Sequence, residues 1–199
     1  MEISLADQGR IKENIRDKYR NVAQGPEGHF QYPTGEAGLT GLGYDAAVVA
    51  KLPAEVRRWY CGVGNPFGPG APGPGDKILD IGCGAGVDTL IAALLARPAG
   101  IALGLEPTPE MLARAVGNAE LAGLRNAWFQ EAQAQCLPVP DASFDLIVSN
   151  GAFNLVIDKP RALAEAYRAL KPGGRLQIAD QFLIPHAEPG PDSVASWFR

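Results

Sequence analysis

The stretch Lys77-Ile78-Leu79-Asp80-Ile81-Gly82-Cys83-Gly84-Ala85-Gly86 decides how this chain is read. A short apolar run closes on glycines at alternate positions, and Val87 to Ala96 then reads as a helix ending before Pro98. The apolar run fits a buried parallel strand. Glycines at a strand-to-helix turn let a ligand lie directly on the backbone. The helix start beyond them offers unpaired N–H groups to an anion. Open α/β sheets bind their ligands at this carboxyl edge of the strands.

The pattern continues downstream. Ile101 to Leu105 predicts a second strand, Thr108 to Ala122 a helix stopped by Gly123, and Ala127 to Phe129 a third strand. Phe144 to Val148 predicts a fourth strand, Pro160 to Leu170 a helix stopped by Pro172-Gly173-Gly174, and Arg175 to Ala179 a fifth strand. Strands alternating with helices predict an α/β fold, a Rossmann-like parallel sheet of about five strands with right-handed crossovers. Upstream, Leu5 to Ala23 predicts a helix with Leu5, Ile11, Ile15, Tyr19 and Val22 on one face. Gln24 to Gly43, rich in glycine and aromatics, reads as a covering loop. Tyr44 to Lys51 and Ala54 to Tyr60 read as short helices divided by Pro53, and Gly62 to Gly75 as a connection. The expected organisation is an N-terminal helical cap with its linker over 1–75 and a core domain over 76–199.

Bulk composition narrows the ligand. With 199 residues and a net charge of −4, the chain has no general attraction for nucleic acid or an anionic membrane, so small molecules are the expected partners. No apolar run reaches the ~20 residues of a membrane helix. The segment Met1 to Asp7 has no signal-peptide character, and a cytoplasmic location is expected. Cys61, Cys83 and Cys136 lack zinc spacing, so no metal site is expected.

Glu106 closes the second predicted strand, where one carboxylate accepts from both hydroxyls of a ribose. That property is shared by NAD and S-adenosylmethionine. The glycine spacing separates them better: it is G-x-G-x-G behind Asp80, where a dinucleotide fold shows G-x-G-x-x-G. Asp80 would repel a pyrophosphate and attract an ammonium, so the spacing favours a zwitterionic ligand over an NAD(P)-dependent oxidoreductase.

Ile78 to Gly86, taken with Glu106, Leu137-Pro138, Ser143-Phe144-Asp145 and Leu170-Lys171-Pro172-Gly173-Gly174, resembles class I S-adenosylmethionine-dependent methyltransferases. The resemblance implies that Asp80, Gly82 and Gly84 lie along the methionine moiety of S-adenosyl-L-methionine, with Cys83, Gly86 and Asp88 in the same cofactor turn. It implies Glu106 on the ribose, Pro107 and Thr108 near the adenine, Gln133 and Ala134 at the adenine edge, and Asn150 beside the sulfur. A narrower resemblance is to the arsenite methyltransferase-like branch, a UbiE/type 11-like domain. It rests on Lys18-Tyr19 with Val22-Ala23, Gly62-Val63-Gly64-Asn65-Pro66, Thr108-Pro109-Glu110-Met111-Leu112, Ser149 to Leu155 and Asp158-Lys159. That branch carries cysteines where this chain has Val63 and Gly151, and trivalent arsenic wants thiolates. The superfamily's sheet has seven strands, while five are read here before Ser196-Trp197-Phe198-Arg199. Relatives with the same valine and glycine resemble a selenoprotein subgroup in which selenocysteine directly follows that segment. The expectation is a C-terminally truncated member, able to form a homo-oligomer through an exposed fifth strand.

The implied function is methyl transfer from S-adenosylmethionine to a small molecule with a soft sulfur, selenium or metalloid centre. In-line displacement needs alignment and exclusion of water more than a strong base. Asn150, Tyr19 and Tyr44 are the catalytic candidates, with Tyr32 beside the two tyrosines on the acceptor wall; His29 and Asp180 are further acceptor-side candidates. The alternative is a protein that binds the cofactor but is catalytically incomplete.

Overall fold

In the computed structural model, which describes residues 4–181, Lys77–Ile81 (β1) is the middle strand of a five-stranded parallel sheet. On one side it pairs with Ile101–Glu106 (β2), which pairs with Ala127–Glu131 (β3); on the other it pairs with Phe144–Asn150 (β4), then Leu170–Ala179 (β5). The order is therefore β3-β2-β1-β4-β5. The order reverses at β1, so the ends of β1 and β4 open a crevice where an open α/β sheet takes its ligand.

Strand alternation divides the core between two faces. Ile78 faces a cluster built from Leu90 and Ile91 of Val87–Leu95 (α5), Met111 of Pro109–Ala122 (α6), and the cap. Leu79 and Ile81 face Ala162, Ala166 and Ala169 of Lys159–Ala169 (α7). Local signals account for the helix ends. Pro109 opens α6 and Gly123, at φ 63°, closes it. The Asp158 side chain accepts from the Arg161 N–H at 3.0 Å and caps α7. Arg168 binds Glu165 and Asp141 and donates to the Leu137 and Val139 carbonyls, pinning the segment before β4 against α7.

The cap consists of helices Leu5–Val22 (α1), Gly35–Gly41 (α2), Ala46–Val49 (α3) and Ala54–Arg57 (α4). Its Val22, Leu39, Val48, Leu52 and Val56 belong to the same buried cluster as Ile78 and Leu90. One apolar cluster thus contains residues from both the cap and the sheet. Arg114 of α6 stacks on Trp59 with its guanidinium 4.1 Å from the ring centre, and donates to Ala23 O at 3.2 Å. Arg20 of α1 pairs with Glu110 at 3.0 Å.

Several expectations change, among them the short cap helices, which span only Ala46–Val49 and Ala54–Arg57. The covering loop contains α2, because Gly38 packs under the Tyr60 ring and a helical turn brings it there. Helix α7 stops at Ala169, and β5 begins at Leu170 instead of Arg175. The step from Phe144 to Leu146 on β4 faces the step from Leu170 to Arg175, so Lys171–Gly174 form an irregularity in the pairing. A 3-10 turn at Phe153–Leu155 was not foreseen. The segment Ser196-Trp197-Phe198-Arg199 lies outside the described residues. No helix among the described residues is long and apolar enough to cross a membrane.

Candidate functional site

The carboxyl ends of β1, β2 and β4 meet the cap around a cavity of about 660 Å³. Asp80, Gly82, Cys83, Gly84, Asp88, Glu106, Pro107, Thr108, Gln133, Ala134 and Asn150 all line it, as does Tyr19 of the cap. Tyr19 apart, these residues come from four places in the sequence and are brought together because each follows or ends a strand at the same sheet edge.

Glu106 is fixed before any ligand arrives. It is 6 % exposed, its Oε2 accepts from the Gly84 N–H at 3.0 Å, and its Oε1 accepts from the Thr108 N–H at 2.9 Å. Burial pushes its carboxyl up, and the backbone donors of Thr108 and Gly84 work against that. Each oxygen has lone-pair capacity for one further donor.

The glycines are glycines for different reasons. At Gly82 a Cβ would run into the Ala152 methyl, and at Gly86 it would lie 2.7 Å from the Phe129 ring. Gly84 adopts φ 54°, and only the Met111 methyl, at 3.4 Å, lies near where a Cβ would stand. Its side faces the cavity, so here the need is for left-handed backbone and an open floor.

Asp80 and Asp88 are buried at 2 % and 8 % exposure. Asp80 accepts from the Thr89 hydroxyl at 2.7 Å. Asp88 accepts from the Tyr44 hydroxyl at 2.6 Å and from Asn150 Nδ2 at 2.9 Å. Burial raises both carboxyls above the ordinary carboxylate range, and the Asp88 charge raises Asp80 further. A ligand cation would reverse this.

Asn150 ends β4 and is heavily engaged. Its Oδ1 accepts from the N–H groups of Val63 and Gly64 at 2.9 and 3.1 Å. Its Nδ2 lies within donating distance of Gly64 O (2.7 Å), Asp88 Oδ2, and the Tyr44 and Tyr60 hydroxyls (both 3.2 Å). Close packing against this amide leaves no room for a side chain at Gly62. Asn150 therefore ties the Gly-rich linker to the sheet.

Several candidates stand elsewhere than expected. Tyr44 is buried behind Asp88 and does not wall the cavity, because its hydroxyl is drawn to that carboxylate and to Gly64 O at 3.0 Å. Tyr32 also lies off the wall and donates to Cys61 O at 3.0 Å. His29 is exposed and outside the lining. Asp180 accepts from the Asn154 and Gln181 N–H groups at 2.9 and 2.7 Å, holding the 3-10 turn. Residues missed by sequence reasoning include Lys12 and Arg16 of α1, and Trp59, Tyr60 and Cys61 after α4. The first two had a legible signal, since Lys12, Ile15, Arg16 and Tyr19 recur at helical spacing on one face. Trp59 had none; the Arg114 stacking that places it is a tertiary contact.

Val63 and Gly151 are neighbours in space: a Cβ on Gly151 would stand 3.5 Å from both Val63 methyls. Cys61 lies on the cavity wall, with burial pushing its thiol up to about 12. No cluster of three potential ligating side chains that could hold a metal ion occurs among the described residues.

Comparison with known proteins agrees with this geometry. Residues 72–198 match the model of a methyltransferase domain family. The chain is 34% identical to an arsenite methyltransferase of Halobacterium salinarum, across 94% of this chain and 51% of that protein. It is 39% identical to an arsenite methyltransferase of Aquipseudomonas alcaligenes, across 65% of this chain and 39% of that protein. Among solved structures, an arsenic(III) S-adenosylmethionine methyltransferase from Chlamydomonas reinhardtii superposes with a TM-score of 0.62 at 38% identity, covering 67% of this chain and 47% of that one. The chain spans about half the length, or less, of these relatives. A glycine turn under a buried acid, on a sheet of this order, is accompanied by a family match over more than half of the sequence: the chain belongs to the methyltransferase domain family.

Proposed function

We propose that this chain binds S-adenosylmethionine and directs methyl transfer to a small molecule whose accepting atom is a soft sulfur, selenium or metalloid centre. The observation that carries the cofactor half of this reading is Glu106, a buried carboxylate held over Gly84 with capacity left for two hydroxyl donors. The residues fit the group chemically. Glu106 suits a ribose diol, Asp80 and Asp88 suit an ammonium, and Gly84 leaves the floor open. When bound, the cofactor supplies a methyl group made electrophilic by a positively charged sulfur. The protein's part is to orient that group and exclude water. Tyr19 and Tyr60 present aromatic surface to the cavity, which tolerates a cation well. Asn150 is read as a positioning residue that holds the linker and Asp88.

Part of the wall is aromatic and aliphatic, with Trp59, Leu155, Val156 and Ile157 lining the same cavity as Lys12, Glu13 and Arg16 of the cap. Among the described residues no histidine lines the cavity, and an acceptor that is already a good nucleophile needs no strong base. The arsenite methyltransferase relatives suggest arsenite. Against it, Val63 and Gly151 bring no thiol, and Cys61 is not held as a ready thiolate. We therefore favour a thiol or selenol over arsenite. The free thiols of Cys61, Cys83 and Cys136 suit a reducing, cytoplasmic setting.

Calorimetric titration with S-adenosylhomocysteine, using NADH as control, tests the cofactor half. Micromolar binding of the first alone is expected. A folded protein that ignores S-adenosylhomocysteine, or that binds NADH instead, would sink the reading. For the acceptor half, a panel of thiols, selenols and arsenite is assayed with labelled S-adenosylmethionine; arsenite as the best acceptor would overturn our choice.

A substitution at the floor gives a second check. Gly84→Val places a β-branched residue in left-handed backbone, at about 1–3 kcal/mol, and fills the cavity floor. Titration of the folded variant should detect no S-adenosylhomocysteine binding; wild-type affinity would make the turn purely structural.

A further inference from the structure

Among the described residues β3 pairs with β2 alone, so its other side is an edge of the sheet. Two hydrogen bonds fix the direction of its backbone groups. Asn126 O accepts from the Ala102 N–H at 2.9 Å, and the Ala132 N–H donates to Glu106 O at 3.3 Å. Backbone groups alternate in direction along a strand, so those of Ala127 and Phe129 point away from β2, out of the sheet. Such an edge takes up another strand unless a charge, a proline or a bulge blocks it. Ala127-Trp128-Phe129-Gln130-Glu131 has no proline, and no charge before its last residue. Trp128 is 50 % exposed and Val116 of α6 43 %. With Leu124 and Phe129 they line a groove of about 670 Å³ along this edge. The opposite edge, β5, carries Pro172 and the irregular pairing at Lys171–Gly174, which discourage strand addition.

Two charges bracket the strand. Arg125 stands two residues before it and Glu131 ends it; both are exposed, and neither has an ion-pair partner among the described residues. A cation at one end and an anion at the other make this edge complementary to its own copy only when the two run antiparallel. A parallel pair would set like charges together, and these repel across strands.

We propose that the β3 edge binds a second copy of this chain as an antiparallel strand centred on Trp128, forming a two-fold dimer with one continuous sheet. Centring on Trp128 sets Ala127 of each copy opposite Phe129 of the other, and the outward N–H and C=O groups of both are then satisfied. It also brings the two indole rings together across the axis, and each Arg125 to the Glu131 of the other copy. Centring on Ala127 or on Phe129 keeps a strand pair but leaves the charges unmatched. The contact is small, so the dimer is reversible and depends on concentration.

Sedimentation velocity of the chain over a wide concentration range tests this. The parent should pass from monomer to dimer as concentration rises, and amide exchange at Ala127 and Phe129 should slow with it. Arg125→Glu and Glu131→Arg each set like charges together at both ends, and each should raise the dissociation constant at least about tenfold. Combining the two should restore the parent's association. Both side chains are exposed, so thermal melts of all three variants should match the parent. A monomer at every concentration overturns the proposal. A dimer that ignores both single variants, or forms without slowing exchange at Ala127 and Phe129, overturns it too, because the contact then lies elsewhere. So does a combined swap that associates no better than the single variants.

Discussion

Asn150→Ala is expected to lower the unfolding free energy by about 2–4 kcal/mol, measured by urea denaturation against the parent chain. The side chain serves Val63, Gly64, Asp88, Tyr44 and Tyr60 at once. Removing it leaves the Val63 and Gly64 N–H groups without their acceptor and takes a donor from buried Asp88. A single exchanged hydrogen bond is worth only about 1 kcal/mol, but stranded polar groups add their desolvation cost. The loss should also be local in character. The linker over 62–64 is tied to β4 by this amide, so hydrogen exchange at Val63 and Gly64 should accelerate before that of β1. A loss below about 1 kcal/mol would show that water replaces the amide and that the tie is incidental.

Glu106→Ala carries the larger effect on binding. Loss of a carboxylate that accepts two charge-assisted hydrogen bonds from a ribose should weaken S-adenosylhomocysteine by about 3 kcal/mol, or roughly a hundredfold. Part of that loss comes indirectly, because Glu106 also holds the Gly84 N–H and thereby the cavity floor. Glu106→Gln separates the contributions. The amide keeps one acceptor oxygen and loses the charge, so an intermediate affinity is expected. Thermal melts of the ligand-free variants report the structural share, and titration reports the whole. Unchanged affinity in both variants would remove Glu106 from the site.

Much of this molecule is legible in its sequence, and the legible parts share a cause. Lys77–Ile81 was read with the observed bounds, because a buried parallel strand is continuously apolar and the glycines behind it cannot continue it. α1 and α6 were found within a residue because period, cap and stop signals coincide. At the site, residues following the strand ends were found because topology brings every such position to one edge. What sequence reading missed was set by side chains from distant segments. α2 hid in a glycine-rich stretch, since its helical state depends on packing against Tyr60. Tyr44 passed for a wall residue because nothing local indicates that its hydroxyl turns toward Asp88.

By itself, then, the sequence determined the parallel α/β core, the glycine turn and the acid that faces it, because each depends on local backbone chemistry and the period of a single element. Tertiary structure alone decided three things. It put Asp88 beside Asp80 without a countercharge, turned Asn150 into the tie between linker and sheet, and set Val63 against Gly151. The physical reason is that burial and charge compensation belong to the neighbourhood of a side chain, and that neighbourhood is assembled from segments remote in the chain.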